Sequence, residues 1–240
     1  MKYIVKNKNS IGYHRLLDLK RDNGSYENVK NDKSKKDFIR DEVLESLLNE
    51  QNYSCAYCMQ KINIANATIE HIIGQNYIDE DGNELGKDNQ IDYDNMLVVC
   101  DGKSCNNEEH CDKSRSKYQK NRPLFTNPLE NRIVQNIKYS ANGFVYYKKY
   151  QDIQSIEKLN KNNQLDEDSN IKYDIQKVLN LNCQNLKEKR KAKIQAMKKL
   201  TNNYTSMEKM KKLLDKIQDN NDEFSQVLVY FLNNKLRKVS

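Results

Sequence analysis

The sequence predicts an α+β protein in which a small cysteine-rich core is flanked by mostly helical N- and C-terminal lobes. Five of the six cysteines fall within residues 55–111, whereas apolar residues at helical spacing lie on both sides of that stretch. Apolar residues make up 37% of the chain, below the roughly 45–50% of typical globular domains. The core should therefore be small. Seven Gly and two Pro argue against a turn-rich all-β fold.

The N-terminal extension, residues 1–52, is predicted to contain one long helix. Residues 1–34 are polar and predict no regular structure except a short strand at residues 3–5. From residue 35 to residue 51, apolar side chains recur every three or four positions and predict one face of an amphipathic helix. These side chains are Phe38, Ile39, Val43, Leu44, Leu47 and Leu48.

The core, residues 53–120, is predicted to hold two strands and a helix. Two β-prone runs cover residues 67–73 and 96–100, and a turn-rich insert separates them. A cysteine-rich loop follows, and the basic residues 111–122 predict a short helix that ends before Pro123.

The C-terminal lobe, residues 121–240, is predicted to be mainly helical. Residues 141–150 have strand propensity, with a turn at Asn142-Gly143. The polar residues 160–170 predict a loop, and helical patterns begin at Ile175 and at Met207. The most apolar segment, residues 224–236, is expected to dock the C-terminus.

The charge of +7 is unevenly distributed. Residues 185–216 hold eleven Lys or Arg against three Asp or Glu, so the rest of the chain is close to neutral. A basic field of this kind attracts polyanions such as DNA, although a charge run also occurs on an ordinary solvated helix face.

Cysteine use points to a metal. No apolar stretch reaches the ~18 residues of a membrane span, and the first residues lack the apolar part of a signal peptide. We therefore expect a cytoplasmic protein without a membrane partner, in which thiols stay reduced. Cysteines clustered in such a protein favour metal binding over disulfides.

Cys55 and Cys58 form a C-x-x-C pair, which brings two thiolates onto one tight turn at the spacing of a tetrahedral zinc site. Cys100 and Cys111 are predicted to complete a structural zinc site, with Cys105 held in reserve. Cys183 is expected to be a buried apolar residue. A thioredoxin-like redox pair is the alternative for C-x-x-C alone, but that alternative leaves the later cysteines without a role.

The order of the motifs resembles that of the HNH endonucleases. The chain runs through C-x-x-C, Glu70-His71, Asn95 five residues before Cys100, and Cys111-Asp112-x-x-Arg115. The resemblance implies a ββα-metal core, in which the acid-His pair ends the first strand and the last cysteine begins the helix. His110, directly before Cys111, is expected to point elsewhere.

Carried over to this chain, the resemblance implies a role for each polar residue. His71 would be the general base, Glu70 and Asp112 would hold a catalytic Mg²⁺ or Mn²⁺, and Asn95 would brace the histidine loop. Three cations of the basic helix would face the DNA backbone: Lys113, Arg115 and Lys117. These residue types suit the chemistry, because His titrates near neutral pH and a hard divalent cation prefers carboxylate oxygens.

The chain departs from the wider family in several positions and resembles one subgroup more closely. Met96 and Ser116 replace the usual Leu and Gly, Asp112 replaces a His or Asn, and ten residues separate Cys100 from Cys111. Such a gap is ordinary in PtuB-type nuclease subunits of the Septu anti-phage system, also found beside some retrons. That resemblance implies a partner, a PtuA-type ATPase. The competing hypothesis is a non-catalytic zinc-knuckle module that binds nucleic acid.

Overall fold

Within its described residues, the N-terminal lobe of the computed structural model holds three helices. The structure describes residues 1–31, 39–103, 108–118, 122–162, 164–202, 204, 206–220 and 222–239. Helices α1, α2 and α3 cover Ile11–Arg21, Tyr26–Asn31 and Ile39–Glu50. The predicted helix at 35–51 is confirmed from Ile39 to Glu50, and its predicted start, with Phe38, lies outside the described residues.

The prediction that residues 1–34 lack helices is wrong. Helix α1 begins after Ser10, whose hydroxyl accepts a hydrogen bond from the Tyr13 N–H at 3.3 Å and so caps the helix. The helix buries only Gly12 and Leu16, so it shows no apolar stripe in the sequence. A Cβ on Gly12 would lie 2.7 Å from the Cα of Val43, which explains why α1 can pack closely on α3. Residues 3–5 are not a strand.

The core contains a two-stranded antiparallel sheet. Strand β1, Ala67–His71, pairs with β2, Met96–Cys100, in a register that sets Ala67 opposite Cys100 and His71 opposite Met96. Both predicted strands are confirmed, and β2 is buried along its whole length. The insert between them contains the short helix α4, Leu85–Asp88, and the 3₁₀ turn Tyr93–Asn95. Helix α5, Cys111–Arg115, is shorter than the predicted helix, of which residues 119–121 lie outside the described residues.

The side chain of Gln51, directly after α3, forms hydrogen bonds with the edge of β2. The Gln51 amide donates to the Val98 carbonyl at 2.6 Å and accepts from the Val98 N–H at 2.8 Å. These two bonds replace the partner strand that this edge lacks, because buried backbone groups need a hydrogen-bond partner.

The C-terminal lobe adds one hairpin and six helices within the described residues. In chain order these are α6 (Asn131–Val134), β3 (Ile137–Tyr139), β4 (Val145–Tyr147), α7 (Ile153–Lys161), α8 (Glu167–Tyr173), α9 (Gln184–Thr201), α10 (Met207–Asn220) and α11 (Ser225–Val239). A π-helical turn, Asp174–Val178, extends α8. The loop predicted at 160–170 is confirmed at residues 162 and 164–166, while its two ends belong to α7 and α8. Asp166 caps α8 by accepting from the Ser169 N–H at 2.7 Å.

The β3–β4 turn needs its predicted glycine. Gly143 has a φ of +83°, and a Cβ there would lie 2.1 Å from the Lys187 carbonyl oxygen of α9. Both facts exclude an ordinary side chain.

Buried residues of all three segments form one hydrophobic cluster. Phe224, Val227 and Leu232 are fully buried in it or beside it, so the apolar segment 224–236 packs on the chain itself as expected. None of the helices in the described part of the chain is long and apolar enough to cross a membrane.

Candidate metal centre and adjoining cleft

The C-x-x-C pair lies on a tight turn anchored to β2. The Cys55 N–H donates to the Gln60 carbonyl at 2.9 Å, and the Ala56 N–H donates to the Val98 carbonyl at 3.1 Å. Met59, directly after the pair, has a φ of +67°. The turn therefore holds Cys55 and Cys58 beside the end of β2, where Cys100 lies.

Four cysteines come together as predicted: Cys55, Cys58, Cys100 and Cys111, with all four Sγ atoms within 4.8 Å of one another. The Cys55 and Cys111 sulfurs are 3.8 Å apart, and the Cys58 and Cys100 sulfurs are 3.7 Å apart. A zinc ion with four Zn–S bonds of about 2.3 Å requires sulfurs ~3.8 Å apart. The group could hold a metal ion, and its geometry is compatible with structural zinc.

The charge balance of this group also favours a bound cation. All four thiols are free and buried. Burial raises the pKa of the Cys111 thiol well above its usual value, and the neighbouring cysteines raise it further. Four thiolates in so small a buried volume repel one another, so a divalent cation is needed to keep them ionised.

The two remaining cysteines are Cys105 and Cys183. Cys105, the reserve ligand, lies outside the described residues. Cys183 is buried at the start of α9, in agreement with the role predicted for it.

His110 points toward the cysteine sulfurs, a contact that the sequence did not predict. Its ring is buried, and Nδ1 lies 3.3 Å from the Cys111 Sγ and 3.8 Å from the Cys100 Sγ. A ring N–H at this position can donate to a thiolate, which stabilises the negative sulfur. Sequence order alone gave no sign of this, because consecutive residues usually point in different directions. Here Cys111 has a φ of +48°.

A second polar site adjoins the cysteines. Glu70 and His71 end β1, and Asp112 is the second residue of α5. All three line one cleft of about 280 Å³, together with Tyr26, Lys30 and Gln75. The cleft thus collects the acid-His pair and the predicted metal-binding Asp112, which are separated by about 40 residues in the sequence.

The ring of His71 is fixed by its neighbours. Nε2 lies 2.9 Å from the Gln90 carbonyl oxygen, and Nδ1 lies 3.3 Å from the Gln75 amide nitrogen. Because a carbonyl can only accept, Nε2 carries the proton and Nδ1 keeps the lone pair. The Tyr26 ring packs edge-on at 4.5 Å between centroids. Burial lowers the pKa of His71 to about 4, so the ring is neutral at neutral pH.

Arg115 does not face solvent, and its predicted contact with the DNA backbone is wrong for this structure. Its side chain is 1% exposed. It forms a buried ion pair with Glu70, donates to the Ile72 carbonyl at 2.8 Å and donates to the Tyr57 hydroxyl at 3.2 Å. The guanidinium ties α5 to the end of β1 instead.

The other predicted site residues have different surroundings. Asn95 is buried; its amide oxygen accepts from the Ile73 N–H at 2.7 Å and its amide nitrogen donates to the Ile73 carbonyl at 3.1 Å. These bonds hold the segment that follows His71. Lys113 and Lys117 are exposed, and Lys117 pairs with Glu109.

Four residues of this site escaped sequence analysis. Tyr26 and Lys30 lie one helical turn apart on α2, and the Lys30 ammonium lies 5.0 Å from the centre of the Tyr26 ring. The sequence signal was this four-residue spacing, in a segment predicted to be irregular. Gln75 and Gln90 contribute an amide and a backbone carbonyl from the insert, and no local pattern distinguishes them.

No protein-family model matches the chain, and no curated protein matches it.

Proposed function

We propose that this protein is a metal-dependent endonuclease of the HNH type that hydrolyses DNA phosphodiester bonds. One observation carries the proposal: a histidine with an oriented ring shares a cleft with two carboxylates, directly beside a four-cysteine group. The strands β1 and β2 and the helix α5 supply these residues in the chain order that the family resemblance implies.

His71 is the proposed general base. The Gln90 carbonyl holds the Nε2 proton, so the Nδ1 lone pair is available to take a proton from water. The Gln75 amide contacts Nδ1 in this structure. It would either move aside when the water binds or hold that water in position. Tyr26 keeps the ring from turning. Asn95 acts as a positioning residue, because it fixes the backbone on which the ring depends.

The two carboxylates, Glu70 and Asp112, are not equally available to a divalent cation. Magnesium prefers oxygen ligands, and both Glu70 and Asp112 line the cleft. Arg115 already neutralises much of the Glu70 charge, whereas Asp112 has no ion pair with Arg115. Asp112 is therefore proposed as the main ligand and Glu70 as the second. A bound Mg²⁺ or Mn²⁺ would neutralise charge that develops on the scissile phosphate. Lys30, at the rim, would contact the backbone beside it.

Plasmid cleavage tests the proposal. The purified protein, prepared without added divalent metal, should cut plasmid DNA when Mg²⁺ or Mn²⁺ is supplied. His71→Ala should lower the rate by about 10²–10⁴, the usual contribution of a general base. The matched control is His14→Ala, since His14 is exposed on α1, and it should cut like the parent. Equal rates for the two variants would remove His71 from the mechanism.

A second candidate, the non-catalytic zinc-knuckle module, is favoured by the Glu70–Arg115 ion pair. This pair gives Glu70 a structural role that needs no catalytic metal. The two candidates separate in the same assay: a binding module would bind DNA but cut none of it with either Mg²⁺ or Mn²⁺.

A partner ATPase of the PtuA type is proposed from the family resemblance, within an anti-phage defence complex. The apolar face of residues 224–236 is buried in the chain's own core and is not available for docking. A groove of about 780 Å³ on the N-terminal lobe is available instead. Val5, Ile11 and Ile64, which are 65%, 65% and 46% exposed, line it. Asp41, Glu42 and Glu45 also line it, but Asp41 is paired with Arg40 and Glu42 with Arg15, so the proposed contact is the apolar centre of the groove.

Co-expression with a PtuA-type ATPase, followed by size-exclusion chromatography, tests this docking. A complex that forms with the parent chain should dissociate with the double variant Val5→Asp, Ile64→Asp. Ile78→Asp is the matched control, because Ile78 is 57% exposed but does not line the groove. Separate elution of the parent chain and the ATPase, with or without ATP, would contradict the partnership.

A further inference from the structure

A second cleft lies far along the chain from His71. It has a volume of about 860 Å³ and is formed by the β3–β4 hairpin, helix α11 and residues 1–3. It shares no lining residue with the His71 cleft. We propose that this cleft binds a short stretch of unpaired nucleotides. The inference adds a binding site to the proposed nuclease and does not depend on His71 being catalytic.

The charge of the cleft is uniformly positive. Five cations line it, namely Lys2, Lys138, Lys148, Lys149 and Arg237, and no Asp or Glu is among its described lining residues. Lys148 is partly neutralised by its ion pair with Asp168 at 2.7 Å. Burial and the nearby Lys61 lower the pKa of Lys2. A concave surface with cations and no anions concentrates the field and attracts a polyanion.

Tyrosines are interleaved with these cations. Five line the cleft: Tyr3, Tyr139, Tyr146, Tyr150 and Tyr230. Tyr3 is 41% exposed and Tyr150 is 59% exposed, so both rings are accessible to a ligand. Tyr150 is kept in position by edge-on contacts with Tyr146 and Phe144, at 6.5 and 6.2 Å between ring centroids. An exposed but fixed ring is a stacking platform for a base.

Helix α11 adds amide groups to the same wall. Gln226, Tyr230, Asn233 and Arg237 recur every three or four residues and line the cleft together with Asn234. Amide side chains can both donate and accept hydrogen bonds, so they can pair with base edges. Cations, rings and amides therefore face one space.

Unpaired nucleotides fit this chemistry better than a duplex. The bases of a duplex are already stacked on one another, so rings inside a concave cleft cannot reach them. In a single strand the bases are free to stack on aromatic side chains while the backbone contacts cations. A bound acidic peptide would use the cations but would leave the stacking platforms without a partner.

Fluorescence anisotropy tests the inference with three labelled probes: a twelve-nucleotide oligo-dT, a twelve-nucleotide oligo-U and a twelve-base-pair duplex. The full chain carries His71→Ala, so that cleavage does not disturb binding. Oligo-dT or oligo-U should bind more tightly than the duplex, and the comparison of the two assigns the site to DNA or RNA. Tyr150→Ala should weaken single-strand binding by about 5- to 150-fold, the loss of one base–tyrosine stack. Tyr150→Phe keeps the ring and should bind like the parent.

The cations are tested separately. The triple variant Lys138→Gln, Lys149→Gln, Arg237→Gln should lower the salt slope of single-strand binding by about 0.7 for each lost phosphate contact. The matched control removes the same charge elsewhere, at the exposed Lys87, Lys161 and Lys212, and should leave the slope unchanged. Equal single-strand affinity of Tyr150→Ala and the parent, or an equal loss of duplex binding in Tyr150→Ala, would overturn the inference.

The two proposals fail independently in these assays. Plasmid cleavage by the wild-type chain, combined with unchanged binding by the cleft variants, would refute the second site and leave the nuclease intact. Loss of single-strand binding by those variants, in a chain that never cuts DNA, would support the second site and refute the proposed nuclease activity.

Discussion

Helix α5 contributes to both the cysteine group and the His71 cleft, but the two sites differ in their exposure to solvent. Cys111 points into the group of four sulfurs, while its neighbour Asp112 lines the cleft. The sulfurs are largely buried, and one divalent cation would offset half of the charge of four thiolates. The cleft is open, and part of its charge is already balanced by the Glu70–Arg115 ion pair. The first site therefore contributes to folding, whereas the second keeps groups available for a ligand.

Loss of one sulfur should have the largest effect. Cys111→Ser should remove zinc and, with it, much of the folding free energy, because structural zinc contributes about 10–16 kcal/mol in zinc-finger peptides at neutral pH. Elemental analysis should fall from about one zinc per chain to none, and the cooperative thermal transition should disappear. Cys183→Ser, at a buried cysteine outside the group, should keep its zinc. Cys105→Ser should keep it too; loss of zinc there would reassign the fourth ligand.

Removal of the buried guanidinium should have the next largest effect. Arg115→Met removes the buried guanidinium that pairs with Glu70 and should cost about 3–5 kcal/mol of unfolding free energy, measured in urea. Adding Glu70→Gln should recover part of that loss. The surface control, Arg21→Met, breaks an exposed pair with Asp18 and should cost at most about 1 kcal/mol. A normal stability for Arg115→Met, together with weaker DNA binding, would return Arg115 to the phosphate contact.

A smaller loss of stability is expected when the side chain of Asn95, which links the segment after β1 to the start of β2, is removed. Asn95→Ala removes both hydrogen bonds to the half-buried Ile73 backbone groups, which should cost about 1–3 kcal/mol. Cleavage should slow while zinc content stays constant, because the segment after His71 loosens. Asn162→Ala, at an exposed position at the end of α7, serves as the control. A slower reaction in both variants would mean that the Asn95 effect is not specific to the cleft.

The smallest effect is expected from substitutions outside both sites, on the exposed face of α9. Lys189, Lys191 and Lys193 are exposed, whereas Arg190 is buried and donates to the Gly143 carbonyl at 2.7 Å. Changing the three lysines to Gln should leave stability unchanged. If this face contacts DNA, the salt slope of duplex binding should fall by about 0.9 for each lost contact. An unchanged slope would identify the run as a solvated helix face.

The cysteine group and the main strands were accessible from the sequence because their signals are local. The C-x-x-C spacing fits one tight turn, and the β-prone runs 67–73 and 96–100 predicted β1 and β2, of which β1 ends two residues earlier. The amphipathic pattern of residues 35–51 likewise predicted α3, which is confirmed from Ile39 to Glu50. In each case neighbouring residues carry the information, so tertiary contacts have little to add.

Only the tertiary structure decided which polar side chains are exposed. Arg115 and Arg190 look like Lys113 and Lys189 in the sequence, but each arginine finds buried acceptors supplied by distant segments: Glu70 for Arg115, and the Gly143 and Leu181 carbonyls for Arg190. Helix α2 brings Tyr26 to His71 from 45 residues away, and His110 turns toward the sulfurs. A charged group is buried only where partners offset its desolvation, and those partners are set by how the chain folds back on itself.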